Sequence, residues 1–260
     1  MRTAPLFFLF SLLCSVLPAG AASLWINEIL ANNEAGLKDD FGETSYWIEL
    51  FNPGSEAVNL GGWFLSNDEQ NLVQWKFPNV SLPSGGFLVV FASGKDRTNS
   101  APLHTNFKLA QEGEFLALVE PNGKKIHHSF NFPTQRPDVS YGIPATNGGF
   151  QFFPEPTPGQ PNGNGFLGFL EKPQVNLERG FYNQPLQVIL IAPNSGAEIR
   201  WTTNGALPLA TNGIRYQKSI PITNTTVLRA GAFKAGYLPS ETITHSYIFL
   251  DSVLKQPVEG

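Results

Sequence analysis

Cysteine is almost missing from this chain. Of 260 residues only Cys14 carries a thiol, and it lies inside an apolar N-terminal stretch. Leu13 before it is too large for a typical lipoprotein cleavage site. Once that stretch is removed, the remaining chain can form no internal disulfide and offers no thiol nucleophile. Charge is sparse as well: Asp, Glu, Lys and Arg make up 15% of the chain, against about a quarter in ordinary globular proteins. The net charge of -4 supplies no counterion-release drive toward DNA or RNA, so no nucleic-acid partner is expected. Beyond residue 17 no apolar run is long enough to span a bilayer, and no transmembrane span is expected in the mature chain. Amphipathic helical periodicity is also lacking.

Histidine is limited to His104, His127, His128 and His245. No H-E-x-x-H spacing occurs. His127 and His128 are adjacent on an expected strand and so face opposite sides, which keeps them from sharing one metal. All four read as surface or edge-strand histidines. A G-x-S-x-G nucleophile elbow is absent too.

The chain does have strand-forming residues and turn punctuation, with 21 Phe, 25 Gly and 21 Pro. It begins with Arg2, an apolar run from Leu6 to Leu17 and the small residues Ala19-Gly20-Ala21. That pattern predicts a secretory signal peptide over 1–21, and hence a secreted, extracellular or cell-envelope protein. A first strand-rich block follows over 23–143. Its expected strands are Leu24–Ala31, Tyr46–Phe51, Trp63–Ser66, Val73–Phe77, Phe87–Ala92, Phe115–Val119 and Ile126–Phe130. Residues 144–173 are rich in Pro, Gly and Asn and read as a linker, with Phe150, Phe152 and Phe153 expected to pack back on a domain. A second block covers 174–250, with strands expected at Gln187–Ile191, Glu198–Thr202, Gly213–Tyr216, Thr226–Phe233 and Thr242–Phe249. Asn204-Gly205 and Asn212-Gly213 mark tight turns in it. The tail 251–260 looks like the start of a connection to a longer protein.

Within the first block, Ile26-Asn27-Glu28-Ile29, Trp47-Ile48-Glu49-Leu50-Phe51-Asn52, Leu60-Gly61-Gly62-Trp63-Phe64-Leu65-Ser66, Trp75-Lys76-Phe77-Pro78 and Leu82–Val90 appear in this order. They resemble the lamin-tail domain, an immunoglobulin-like β-sandwich. In the second block Ile199-Arg200-Trp201-Thr202-Thr203-Asn204-Gly205, Ile220-Pro221-Ile222, Thr226–Ala230 and Gly236-Tyr237 resemble the chitobiase C-terminal, fibronectin-III-associated module. Asn204 and Trp201 stand where that family usually has Asp and Tyr. The two resemblances imply an all-β chain: two immunoglobulin-like or fibronectin-III-like sandwiches joined by a Pro/Gly-rich linker. Trp63 and Leu65 are expected in the core, and Gly61-Gly62 and Gly85-Gly86 at sharp strand entries. The pairing of modules looks like the front end of large secreted bacterial proteins, some of which continue into a CotH-like, kinase-related domain.

No residue is assigned a catalytic, cofactor-binding or metal-binding role. Asp39, Asp40 and Glu43 form the densest acidic cluster. Oxygen ligands suit Ca²⁺, but the spacing fits no calcium loop, and a solvated loop is the alternative. Gly163–Gly168 spells G-x-G-x-x-G without the strand and helix that a phosphate loop needs. Trp25, Trp47, Trp63, Trp75 and Trp201 lie on expected strands. Trp47 falls opposite Ile48 and Leu50, which puts it on an outer face open to a sugar or a protein. The expected function is a secreted, non-catalytic binding or scaffolding protein whose partner is an extracellular protein or glycan. The alternatives are an accessory part of a larger secreted enzyme and a carbohydrate-binding module.

Overall fold

A computed structural model describes residues 24–146 and 148–250. The expected signal peptide and the tail lie outside the described residues. The described chain is all-β.

The first sandwich is built from β1 (Trp25–Leu30), β2 (Tyr46–Phe51), β3 (Val58–Asn59), β4 (Phe64–Ser66), β5 (Trp75–Lys76), β6 (Ser81–Leu82), β7 (Phe87–Ala92), β8 (Leu103–His104), β9 (Glu114–Val119), β10 (Ile126–Phe132), β11 (Ser140–Gly142) and β12 (Gln151–Phe153). One sheet runs β12-β11-β1-β2-β7-β8 and the other β10-β9-β4-β5. Between them Ile26, Ile48, Leu50 and Val90 meet Trp63, Leu65, Trp75 and Leu116, the alternate residues of each strand. The paired glycines act as expected. Gly62 and Gly85 have φ of 86° and 66°, while a Cβ on Gly86 would stand 2.8 Å from Pro83.

The second sandwich comprises β13 (Gln174–Val175), β14 (Gly180–Tyr182), β15 (Leu186–Val188), β16 (Leu190–Ile191), β17 (Glu198–Thr202), β18 (Ile214–Arg215), β19 (Ile220–Ile222), β20 (Thr226–Phe233) and β21 (Ile243–Phe249). Its main sheet is β14-β21-β20-β17-β18, faced by the ribbons β13-β16 and β15-β19. The single strand expected at Gln187–Ile191 is two strands. β15 pairs β19 while β16 pairs β13, so the chain changes partners at Ile189.

Residues 144–173 do not run free. β12 adds to the edge of the first sheet, the one place where a Pro-flanked strand is tolerated. Phe152 and Phe153 are buried, and Phe150 packs on Phe130 with ring centroids 4.3 Å apart. Phe166 then bridges Phe152, and Leu167 and Leu170 donate to the carbonyls of Gly236 and Leu238 in the second sandwich at 2.8 and 3.1 Å. Phe169 lies between Phe152 (4.5 Å) and the Arg136 guanidinium (4.1 Å).

Candidate functional site

The outer face of the first large sheet is where sequence expectation and structure part. A β-bulge between Ile26 and Glu28 inserts Asn27 as an extra residue and reverses the parity of β1. Ile26 and Ile29 therefore both enter the core. Glu28 falls directly opposite Glu49, and Leu30 opposite Trp47. The outer face thus carries three rows: Trp25, Phe51 and Phe87; Glu28, Glu49 and Val89; and Leu30, Trp47 and Phe91.

Trp47 is fully buried, which corrects the expectation of an exposed indole. It packs with Leu30, Phe91 and Val89 in a small core of its own. The alternation along β2 places Trp47 away from Ile48, as expected, but this second face is covered as well.

Residues 154–162 strap over the acidic row. Glu49 accepts from the Gly159 N–H at 2.5 Å and from Asn27 Nδ2 at 2.9 Å. Glu28 accepts from the Ser140 hydroxyl and, at 3.2 and 3.3 Å, from the Thr157 N–H and Oγ1. Asn162 Nδ2 donates to the carbonyls of Asn27 and Ile143 at 3.1 and 2.8 Å, and its Oδ1 accepts from Thr157 Oγ1 at 2.9 Å. Gly159 sits at φ 81°, a conformation open to glycine, and this aims its N–H at the carboxylate. Burial raises the Glu28 carboxyl above its ordinary range against the bonds from Ser140 and Thr157. Burial likewise pushes Glu49 up to about 7, against the bonds from Gly159 and Asn27 and with help from the neighbouring Glu28 charge. Two carboxyls side by side suit acid–base chemistry when substrate reaches them. Here both are fully buried, and their arrangement is that of a clasp.

A second polar array joins three residues distant in sequence. Ser93 Oγ is 2.9 Å from His104 Nδ1, and His104 Nε2 is 3.1 Å from Asp40 Oδ1. The partner types are those of a nucleophile, base and acid, but the surroundings are those of a fastening. His104 lies on an edge strand, as expected, yet it is fully buried. Its ring stacks on Phe91 and meets the edge of Phe41. Asp40 is also bound by Arg97 at 2.7 Å, and Ser93 Oγ accepts the Lys95 N–H at 3.3 Å. The acidic cluster proposed for Ca²⁺ is turned to the same end. Lys95 Nζ lies 2.5 Å from Asp39 and 2.9 Å from Glu43. Burial tends to raise the Asp39 carboxyl. The bonds from Lys95, Ser45, and the N–H groups of Glu43 and Phe41 outweigh it and hold Asp39 well below the usual carboxylate range. Cations thus occupy the oxygens that a metal would need. Among the described residues no three His, Cys, Asp or Glu side chains converge as a metal site.

The remaining histidines are scattered. His127 contacts Glu120 (3.2 Å) and the edge of Trp63, whereas His128 Nδ1 accepts the Ile26 N–H at 3.1 Å across the sheets. His245 lies 3.9 Å from Glu178 in the second sandwich. Gly163–Gly168 runs extended along Phe152 and Gly236 and forms no phosphate loop.

Open surface is found elsewhere. The row Trp25, Phe51 and Phe87 is partly exposed and, with Pro144 and Pro161, lines a cleft of about 250 Å³. In the second sandwich two concavities of about 700 and 260 Å³ share Trp201. The sequence flagged Trp201 as one of five candidates but favoured Trp47, whose face is covered.

The described residues thus form two β-sandwiches, and in the first of them Glu28, Glu49, Asp39 and Asp40 fasten loops to sheets. Residues 18–132 match the family model described as Lamin Tail Domain, and residues 177–244 match the one described as Chitobiase/beta-hexosaminidase C-terminal domain. The chain therefore carries a lamin-tail domain followed by a chitobiase/beta-hexosaminidase C-terminal domain. β11, β12 and the strap lie beyond the first matched region. No curated protein matches the chain. No helix among the described residues is long and apolar enough to cross a membrane.

Proposed function

We propose that this is an exported, non-catalytic binding or scaffolding protein that presents the second sandwich to a partner on an extracellular surface, either a protein or a glycan. The observation that carries this reading is the division of polar groups. In the lamin-tail domain Glu28, Glu49, Asp39 and His104 are engaged internally. In the second domain hydroxyl-rich and apolar surface stands open. The N-terminal pattern of Arg2, an apolar run and Ala19-Gly20-Ala21 supports export. The backbone bonds from Leu167 and Leu170 to the second domain support a fixed presentation.

Expression of the full chain with its own leader in a secreting host tests the reading. Mass spectrometry should find a protein beginning at Ala22 outside the cytoplasm, and this protein should cosediment with a cell-surface or extracellular-matrix fraction. An uncleaved cytoplasmic chain, or turnover of any substrate by the purified protein, would overturn it.

A further inference from the structure

Trp201 stands apart from three of its counterparts. Trp25, Trp47 and Trp75 each bury the indole N–H without a hydrogen-bond partner, and Trp201 is not among them. On β17 it shares a face with Ile199, a core residue, but it lies near the end of the sheet opposite the small Ala230 and is only partly covered. Both concavities of the second domain are walled by it. The larger, about 700 Å³, is edged by Thr203, Thr223, Asn224 and Thr226. The smaller, about 260 Å³, is edged by Thr202, Asn204 and Asn212. Thr203, Thr223, Asn204, Asn212 and Asn224 are exposed.

No charged side chain lines either concavity. That composition rejects phosphates, nucleic acid and charged peptides, which need cations or carboxylates to replace lost water. It is too rich in hydroxyl and amide groups for a lipid chain. An aromatic face ringed by neutral donors and acceptors fits a ligand with an apolar face and a rim of uncharged hydroxyls. The larger volume lies within the range of ligand clefts.

We infer that the cleft pair around Trp201 is a binding site for an uncharged polysaccharide, with the indole as the stacking platform between two adjoining subsites. The inference rests on the binding reading above and narrows it to one ligand class and one place.

The full mature chain is run in native gels containing laminarin, xylan or hydroxyethylcellulose, with alginate as the anionic control. At least one uncharged polymer should retard the wild type, and alginate should not. Trp201→Ala should weaken retardation about tenfold or more. Because that change also thins the core, the exposed double variant Thr223→Ala/Asn224→Ala is run beside it and should weaken retardation about fivefold with unchanged circular dichroism. Folded wild type that no uncharged polymer retards would overturn the inference, and so would stronger retardation by alginate. Retardation that survives in both the double variant and Trp201→Ala would also overturn it. That last result leaves the protein a binder with its site elsewhere, whereas failure of the surface-fraction experiment removes the broader reading.

Discussion

The two domains handle their awkward residues in opposite ways. The lamin-tail domain takes polar groups inward: Glu28, Glu49, Asn52, His104 and Thr105 are all fully buried, and Glu28, Glu49, Asn52 and His104 are each bonded to at least two partners. The second domain leaves apolar groups outside, with Phe181, Ile191, Leu207, Leu209 and Ile214 at least half exposed. Its core lacks any fully buried tryptophan, while the first contains Trp75 and, in a side cluster, Trp47. Buried, satisfied polar groups fix a unique arrangement, and exposed apolar groups leave surface for partners. The difference separates a domain fastened from within from one that leaves apolar surface open.

The sharpest way to break this contrast is to empty the first core. Trp75→Ala removes a nearly fully buried indole and should cost about 3–5 kcal/mol in denaturant titration, whereas a comparable loss from replacing any exposed apolar residue of the second domain would erase the distinction. The acid pair tests it through pH. The folded Glu49 carboxyl titrates near 7 and the unfolded one near about 4.3. The folded state therefore holds the proton longer. Stability is fully present below the unfolded value and is lost as pH rises toward 7, at up to about 1.4 kcal/mol per pH unit. Glu28, raised in the same direction, adds to the slope. Glu49→Gln should flatten the profile between about pH 4.5 and 7, with Asn27 turning its amide to accept from the new Nε2. A profile unchanged from wild type would remove the clasp from the account of stability.

Asn52 is the next test. Its Nδ2 donates to the carbonyls of Glu56, Leu82 and Pro83 at 2.8–3.1 Å, and its Oδ1 accepts from the Gly54 N–H at 3.0 Å. Asn52→Ala should cost about 1–3 kcal/mol and raise hydrogen exchange in the 82–86 turn. At the small end, Phe181→Ser and Ile214→Ser should each change stability by no more than about 0.5 kcal/mol, measured in the same titration.

Much of the fold was legible because strand alternation and turn residues act locally. Tyr46–Phe51, Phe87–Ala92, Glu198–Thr202 and Thr226–Phe233 have the same bounds in expectation and structure. The short strands β3, β6, β8, β11, β12, β13, β14 and β19 escaped notice, since two or three residues carry too little periodicity. The clasp was hidden for a different reason. Asn27-Glu28 and Glu49 were visible within family-like motifs, but their partners Thr157 and Gly159 lie 129 and 110 residues away. A Thr-Pro-Gly stretch in a Pro-rich segment reads as a turn and nothing more. Trp47 was misplaced for a related reason: periodicity tells which residues share a face, and only the tertiary fold tells that the face is covered. Ser93, His104 and Asp40 likewise come from separate loops and strands, and only the tertiary fold makes them neighbours.

The strap also closes the first domain with residues far along the chain. Glu28 and Glu49 enter the sheet early in the chain and take donors from Ser140 and Asn27, but the bonds from Thr157 and Gly159 come only with the strap. Without that segment the two facing carboxyls lose those bonds and part of their cover. A chain ended before Thr157 would therefore lack part of the first domain's own bonding, although it would hold every residue that matches the lamin-tail model.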